Sequence, residues 1–178
     1  MHTWIALLRG INVVGRNKVP MRELASTFER AGFRSVRTYI QSGNVIFQSA
    51  DGTARTLSSR ISRMILDRFG FAPHVVVISR AQLAEAVRRN PFPECRKNHK
   101  ALHLFFLTGQ PANPDLAELA RLDAGNERFA LEGDVFYLYT PDGFPDSWVR
   151  SRFERCLGVE ATGRNWRTVN ELLKMIGE

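Results

Sequence analysis

Three observations on this 178-residue chain predict an α+β fold. Short apolar runs bounded by turn residues alternate with amphipathic stretches, and two tight-turn signals, Ser42-Gly43-Asn44 and Gly133-Asp134, each join a pair of runs. The resulting order of strand, helix, strand, strand, helix, strand occurs twice, which is the split βαβ arrangement. The chain therefore reads as a duplicated ferredoxin-like α/β plait: two βαββαβ units, a linking helix between them and a C-terminal helix after them.

Each element has a local reason. Residues 3–11, TWIALLRGI, are apolar on both alternating sets, as suits a strand covered on two faces. Pro20 suits a first helical position, and Met21, Leu24, Ala25 and Phe28 mark one helix face up to a stop at Gly32. The runs RSVRTYIQ and NVIFQS form a hairpin. A helix is predicted from about Thr53 to Phe69 with Leu57, Ile61, Met64 and Ile65 on one side, and HVVVIS closes the unit at Ser79. Ser79 then caps a helix, RAQLAEAVRRN, and PFPECRKNHK reads as a linker rich in proline and charge.

In the second half, ALHLFFLT is a strand and Asn113 is the expected N-cap of a helix running through Leu122. The strands ERFALEG and DVFYLYT follow, then a helix from about Pro145, with Asp146 in its first turn, to Leu157. VEAT is a short last strand, and Thr168 to Glu171 fits a capping box for the final helix. This divides the chain into a first unit at 1–79, a helix and linker at 80–100, and a second unit with the C-terminal helix at 101–178. The two-sided apolarity of the first strand and of VVVI needs cover from the other half or from a second subunit.

The 25 Lys+Arg against 18 Asp+Glu leave a formal charge of +7, which favours acidic partners. MHTWIALLRGINVVG lacks a basic start and a small-residue cleavage site, and no segment reaches the ~20 apolar residues that span a bilayer. The expectation is a cytoplasmic protein with no membrane partner. Cys95 and Cys156 stand without a CxxC or a nearby His partner from which a zinc site could be read, and His99 and His103 fall on an extended segment too long for one ion to bridge. Neither a metal nor a cofactor is expected.

Two stretches suggest chemistry. In LLRGINVVGRNKVPM, Gly10, Gly15 and Lys18 imitate a phosphate loop. A Walker loop needs Gly-Lys-[Ser/Thr] together, and here Arg16 and Asn17 separate glycine from lysine while Pro20 removes a helix-start N–H. An anion site built from Arg9, Arg16, Lys18 and the loop amides is the narrower expectation. In ATGRNWRTVNE, Arg164 and Arg167 precede or enter a helix start, where an acidic ligand or an internal carboxylate would relieve them; the bland alternative has Trp166 packed with the arginines lying over it. No Ser-His-Asp or Cys-His arrangement is present. RNA recognition by stacking would need aromatics on the central strands, which offer only Phe47 and, at an edge, Trp4.

Together ALLRGINVVGRNKVPM, VRTYIQSGNVIF, NPFP and ATGRNWRTV closely resemble the bacterial domain of unknown function 1697 family, in four separated motifs from about residue 3 to 176. The resemblance implies two ferredoxin-like halves and brings no established reaction. Its polar motif members map onto Arg9, Asn12, Lys18, Tyr39, Ser42, Asn44, Arg164, Asn165 and Trp166. The resulting expectation is a non-enzymatic binder of a small anionic or nucleotide-like ligand. Nucleic-acid binding is the alternative on charge, and an enzyme of unassigned class is the third.

Overall fold

The computed structural model describes residues 1–13, 15–50, 52–121, 126–143 and 148–177, the last segment with side chains from 152 on. Among these residues lie two four-stranded antiparallel sheets and six α-helices. The chain divides into two compact units, Met1–Glu85 with Leu172–Glu178, and Ala86–Glu171.

In the first unit the order is β1 (His2–Leu8), α1 (Met21–Arg30), β2 (Arg34–Tyr39), β3 (Asn44–Ser49), α2 (Ala54–Phe69) and β4 (Val75–Ser79). The sheet order is β2-β3-β1-β4. β1 pairs with β3 in register Leu7↔Asn44 to His2↔Ser49, and with β4 from Leu8↔Val75 to Trp4↔Ser79. Ala6, Leu8, Val45, Phe47, Val75 and Val77 face Leu24, Phe28, Leu57, Ile61 and Ile65 of the two helices in one buried cluster. At its centre Phe28, Phe33 and Phe47 meet with ring centroids 4.7–5.5 Å apart. The opposite set, Ile5, Leu7, Ile46, Val76 and Ile78, is buried too, in keeping with the two-sided apolarity of β1.

Local chemistry sets most boundaries, with small corrections. Pro20 is the N-cap of α1 rather than its first residue, with φ −62° and ψ 127°, because its extended ψ lets the carbonyl accept from the Leu24 N–H. Thr53 caps α2 through a reciprocal bond pair with Thr56. β2 stops at Tyr39, two residues short of the expected end, because Ile40 turns into the left-handed region at φ 49°. Ser79 and Gln82 exchange capping bonds at the start of α3 (Arg80–Arg88).

The second unit holds a 3-10 turn (Pro93–Arg96), β5 (Leu102–Leu107), α4 (Leu116–Arg121), β6 (Arg128–Glu132), β7 (Val135–Tyr139), α5 (Trp148–Leu157), β8 (Ala161–Asn165) and the first half of α6 (Trp166–Gly177). Its sheet order is β6-β7-β5-β8. Phe105, Phe136 and Phe153 meet with ring centroids 4.7–6.2 Å apart in its core, Phe136 stacked on Phe153. The cap of α4 is Asp115, whose carboxylate accepts the Glu118 N–H at 2.8 Å, not Asn113. Leu122, Pro145 and Asp146 lie outside the described residues. Among the described residues, no helix is long and apolar enough to cross a membrane.

β8 and α6 depart most from expectation. The strand is Ala161–Asn165, not VEAT, and it pairs with β5 through Phe105↔Gly163 and Leu104↔Arg164. Gly163 sets that register: a Cβ there would lie 2.6 Å from the Phe105 ring, so this position must be a glycine for the ring to cross the strand. The helix therefore starts at Trp166, and Asn165 caps it by accepting the Thr168 N–H at 2.8 Å. Thr168, the expected cap, is a buried residue of the first turn.

Candidate functional site

Antiparallel pairing gathers three loops at one end of the first sheet. The Leu8 N–H donates to Gly43 O at 2.8 Å and the Arg9 N–H to His74 O at 2.9 Å, so the end of β1 is tied to the β2–β3 turn on one side and to the start of β4 on the other. The ends of β1 and β2 share this rim. β3 lies between them and opposes both, which makes β1 and β2 parallel and puts Asn12 and Ser42 at the same end.

Hydrogen bonds join the described residues between Arg9 and Pro20. The Arg16 N–H donates to Val13 O at 2.9 Å, closing a small bridge. The side chain of Asn12 seals the base: its Nδ2 donates to Val19 O at 3.0 Å and to Gln41 O at 2.9 Å, and its Oδ1 accepts the Val19 N–H at 2.8 Å. Asn17 donates to Gly10 O at 2.9 Å across the same loop. Asn12 and Asn17 both sit at positive φ, 53° and 49°, which asparagine tolerates better than most residues.

These bonds sort the expected site residues. Asn12 is spent on the backbone. Asn44 is fully buried and donates to Tyr39 O and Ser42 Oγ, both at 3.0 Å, so it holds the turn. Tyr39 is half-buried, whereas Arg9, Arg16, Lys18 and Ser42 are exposed. Arg16 and Lys18 form no ion pair among the described residues. His74 joins them on the rim, just before β4 and beside the end of β1. Segments 9–20, 40–44 and 70–74 carry Arg9, Arg16, Lys18 and His74 and not one Asp or Glu. The glutamate at the start of α1, Glu23, is engaged by Arg68 at 2.7 Å.

The C-terminal group belongs to the second unit. Arg164 lies in β8, buried, with its Nη1 donating to Gly163 O at 2.8 Å. Burial pushes its guanidinium down to about 10, so it is still a cation at neutral pH. Asn165 is the helix cap, and Trp166 is packed, although Arg164 is buried in the strand rather than solvated over that ring. Arg167 alone of the four is exposed.

Two further features serve the fold. In NPFP, Asn90 Oδ1 accepts the Phe92 N–H at 2.9 Å, and Phe92 stacks on Tyr139 with centroids 5.6 Å apart. Arg128 lies over both rings while its Nη2 meets Glu94 at 2.8 Å, and the Arg128 hydrogen bond holds the Glu94 carboxyl below the usual range. Phe47, the aromatic weighed for base stacking, is sealed between Phe28 and Phe33 and unavailable to a nucleotide. Burial raises both the Cys95 and Cys156 thiols, which keeps them protonated and slow to react. Ellman's reagent should therefore label neither cysteine in the folded protein and both once denaturant is added; prompt labelling of the native protein would contradict this.

The family described as Protein of unknown function (DUF1697) matches residues 1–137. That stretch includes the loop rim, the SGN turn and NPFP, and it ends before Arg164–Arg167. Conserved bacterial protein SP0830 from Streptococcus pneumoniae is 22% identical over 100% of this chain and 99% of its own, with a TM-score of 0.71, so the two share a fold. No curated protein matches the chain. With its family model covering well over half its length, the chain belongs to the DUF1697 family.

Proposed function

We propose that this protein is a cytoplasmic, non-enzymatic binder of a small anion, built on a duplicated ferredoxin-like plait and holding its ligand at the loop rim of the first unit. Arg16 and Lys18 are the primary cationic contacts, with Arg9 and His74 beside them. The observation that carries this reading is the sign of the rim: three loops tied together by backbone hydrogen bonds bring cations to one sheet end and bring no carboxylate. Like charges gathered on a braced loop repel one another, and an anion relieves that repulsion while the loop loses little freedom on binding. The C-terminal arginines contribute less, because Arg164 is buried in β8 and only Arg167 is exposed.

Thermal shift titration with inorganic pyrophosphate, at constant ionic strength set by chloride, tests this. The wild-type protein is expected to be stabilised, and the double variant Arg16→Ala, Lys18→Ala to bind at least about tenfold more weakly, since each charge-assisted contact contributes on the order of 1.5 kcal/mol or more. Equal shifts in both proteins would place the anion elsewhere. No shift in either would end the reading.

A further inference from the structure

Two aliphatic side chains stand exposed on the same rim. Val13 is 53% exposed and Ile40 49%, more than any other large apolar residue described except the chain-terminal Met1. They flank one hydrogen bond: Asn12 Nδ2 to Gln41 O at 2.9 Å joins the residue before Val13 to the residue after Ile40. Val13 is also bridged to Arg16, so an apolar group and a cation sit side by side on one turn.

Ile40 adds a second cost. Its φ of 49° lies in the left-handed region, where a β-branched residue is strained and glycine or asparagine would sit easily. The chain thus accepts both strain and apolar exposure at one position, with no return inside the first unit's core, since Ile40 is outside its buried cluster. Such a position is explained by something that covers it from outside.

We infer that the ligand of this rim is an amphipathic anion, a phosphate or carboxylate head held at Arg16 and Lys18 with a hydrocarbon portion laid over Val13 and Ile40. The inference rests on the anion reading above and adds the chemical class. The neighbours exposed with the cations are aliphatic, so hydrocarbon rather than a stacked base is the complementary surface. The class includes soluble alkyl phosphates and the headgroup region of an anionic lipid.

Methyl, butyl and hexyl phosphate, titrated separately by thermal shift or calorimetry, test the idea. Affinity is expected to rise about twofold for each added methylene, the value for partial burial of the chain. Ile40→Asn should raise the melting temperature by relieving the strain and still bind methyl phosphate like wild type, yet lose the gain with chain length. Vesicles of phosphatidylglycerol separate the two sources: binding to them as well as to hexyl phosphate assigns a lipid headgroup, and binding to hexyl phosphate alone assigns a free ester. Methyl phosphate binding with no dependence on chain length overturns this inference and leaves the anion reading standing. Failure of methyl phosphate and pyrophosphate alike removes both. An Ile40→Asn variant that keeps the preference for hexyl phosphate also overturns it.

Discussion

Gly43→Ala should destabilise the first unit by about 2–4 kcal/mol, combining left-handed backbone strain with overpacking. Gly43 has φ 80°, and a Cβ built on it lies 2.7 Å from Ile11 Cδ1, 2.8 Å from Leu8 Cβ and 2.9 Å from Ile11 Cγ1. Leu8 Cβ cannot move aside, because it is fixed to a strand backbone whose N–H donates to Gly43 O. Ile11 is itself buried. Gly10 supplies the control: its φ is 74° but nothing lies within 4 Å of its Cβ position, so Gly10→Ala should cost only about 1 kcal/mol of strain. Urea denaturation of the three proteins gives the comparison. If the two variants fall together, the close approach of the turn to β1 is not what makes Gly43 necessary.

Asn12→Ala should cost about 2–4 kcal/mol, because it removes three hydrogen bonds to the backbone and leaves the N–H and C=O of buried Val19 without these partners. Alanine is also worse than asparagine at φ 53°. Asn12→Asp is the sharper variant. It preserves shape but sets a carboxylate oxygen against Val19 O and Gln41 O, where Nδ2 now donates, so it should cost at least as much as alanine. Hydrogen exchange is the decisive readout, since faster exchange is expected at 9–20 and 40–43 while β3 and α2 keep their protection. Unchanged exchange in the loop would mean that the amide does not brace it.

These two variants explain why a motif of polar residues could suggest a site and yet serve the fold. Asn12, Asn44 and Asn165 are amides used as replacement backbone: each meets N–H or C=O groups where the chain leaves a strand. Nothing in residue type distinguishes that duty from ligand binding. The side chains of Arg16 and Lys18 differ from these amides in being exposed and in forming no ion pair among the described residues, which is a property of surroundings rather than of spacing.

β3, α2 and the capped start of α3 were legible in the sequence, because period, cap chemistry and hairpin signals act within a few residues. β8 was not. VEAT has the stronger strand composition, but the actual strand is the stretch whose glycine admits the Phe105 ring and whose next residue pairs with Leu104. Pairing partners sixty residues away overrode local preference, as they do for short strands. The start of α6 moved with it, since the strand end determines which residue can cap.

The sequence by itself determined the order of elements, the family and the sign of the rim charge. Those follow from apolar period, turn residues and composition, all of them local quantities. Only the tertiary structure decided which ends share a rim, that Asn12 binds backbone, that Arg164 is buried in a strand, and that Ile40 stands strained and exposed beside the cations. Each of those depends on which strand lies between which, and antiparallel pairing across β3 is a long-range fact that no single segment carries.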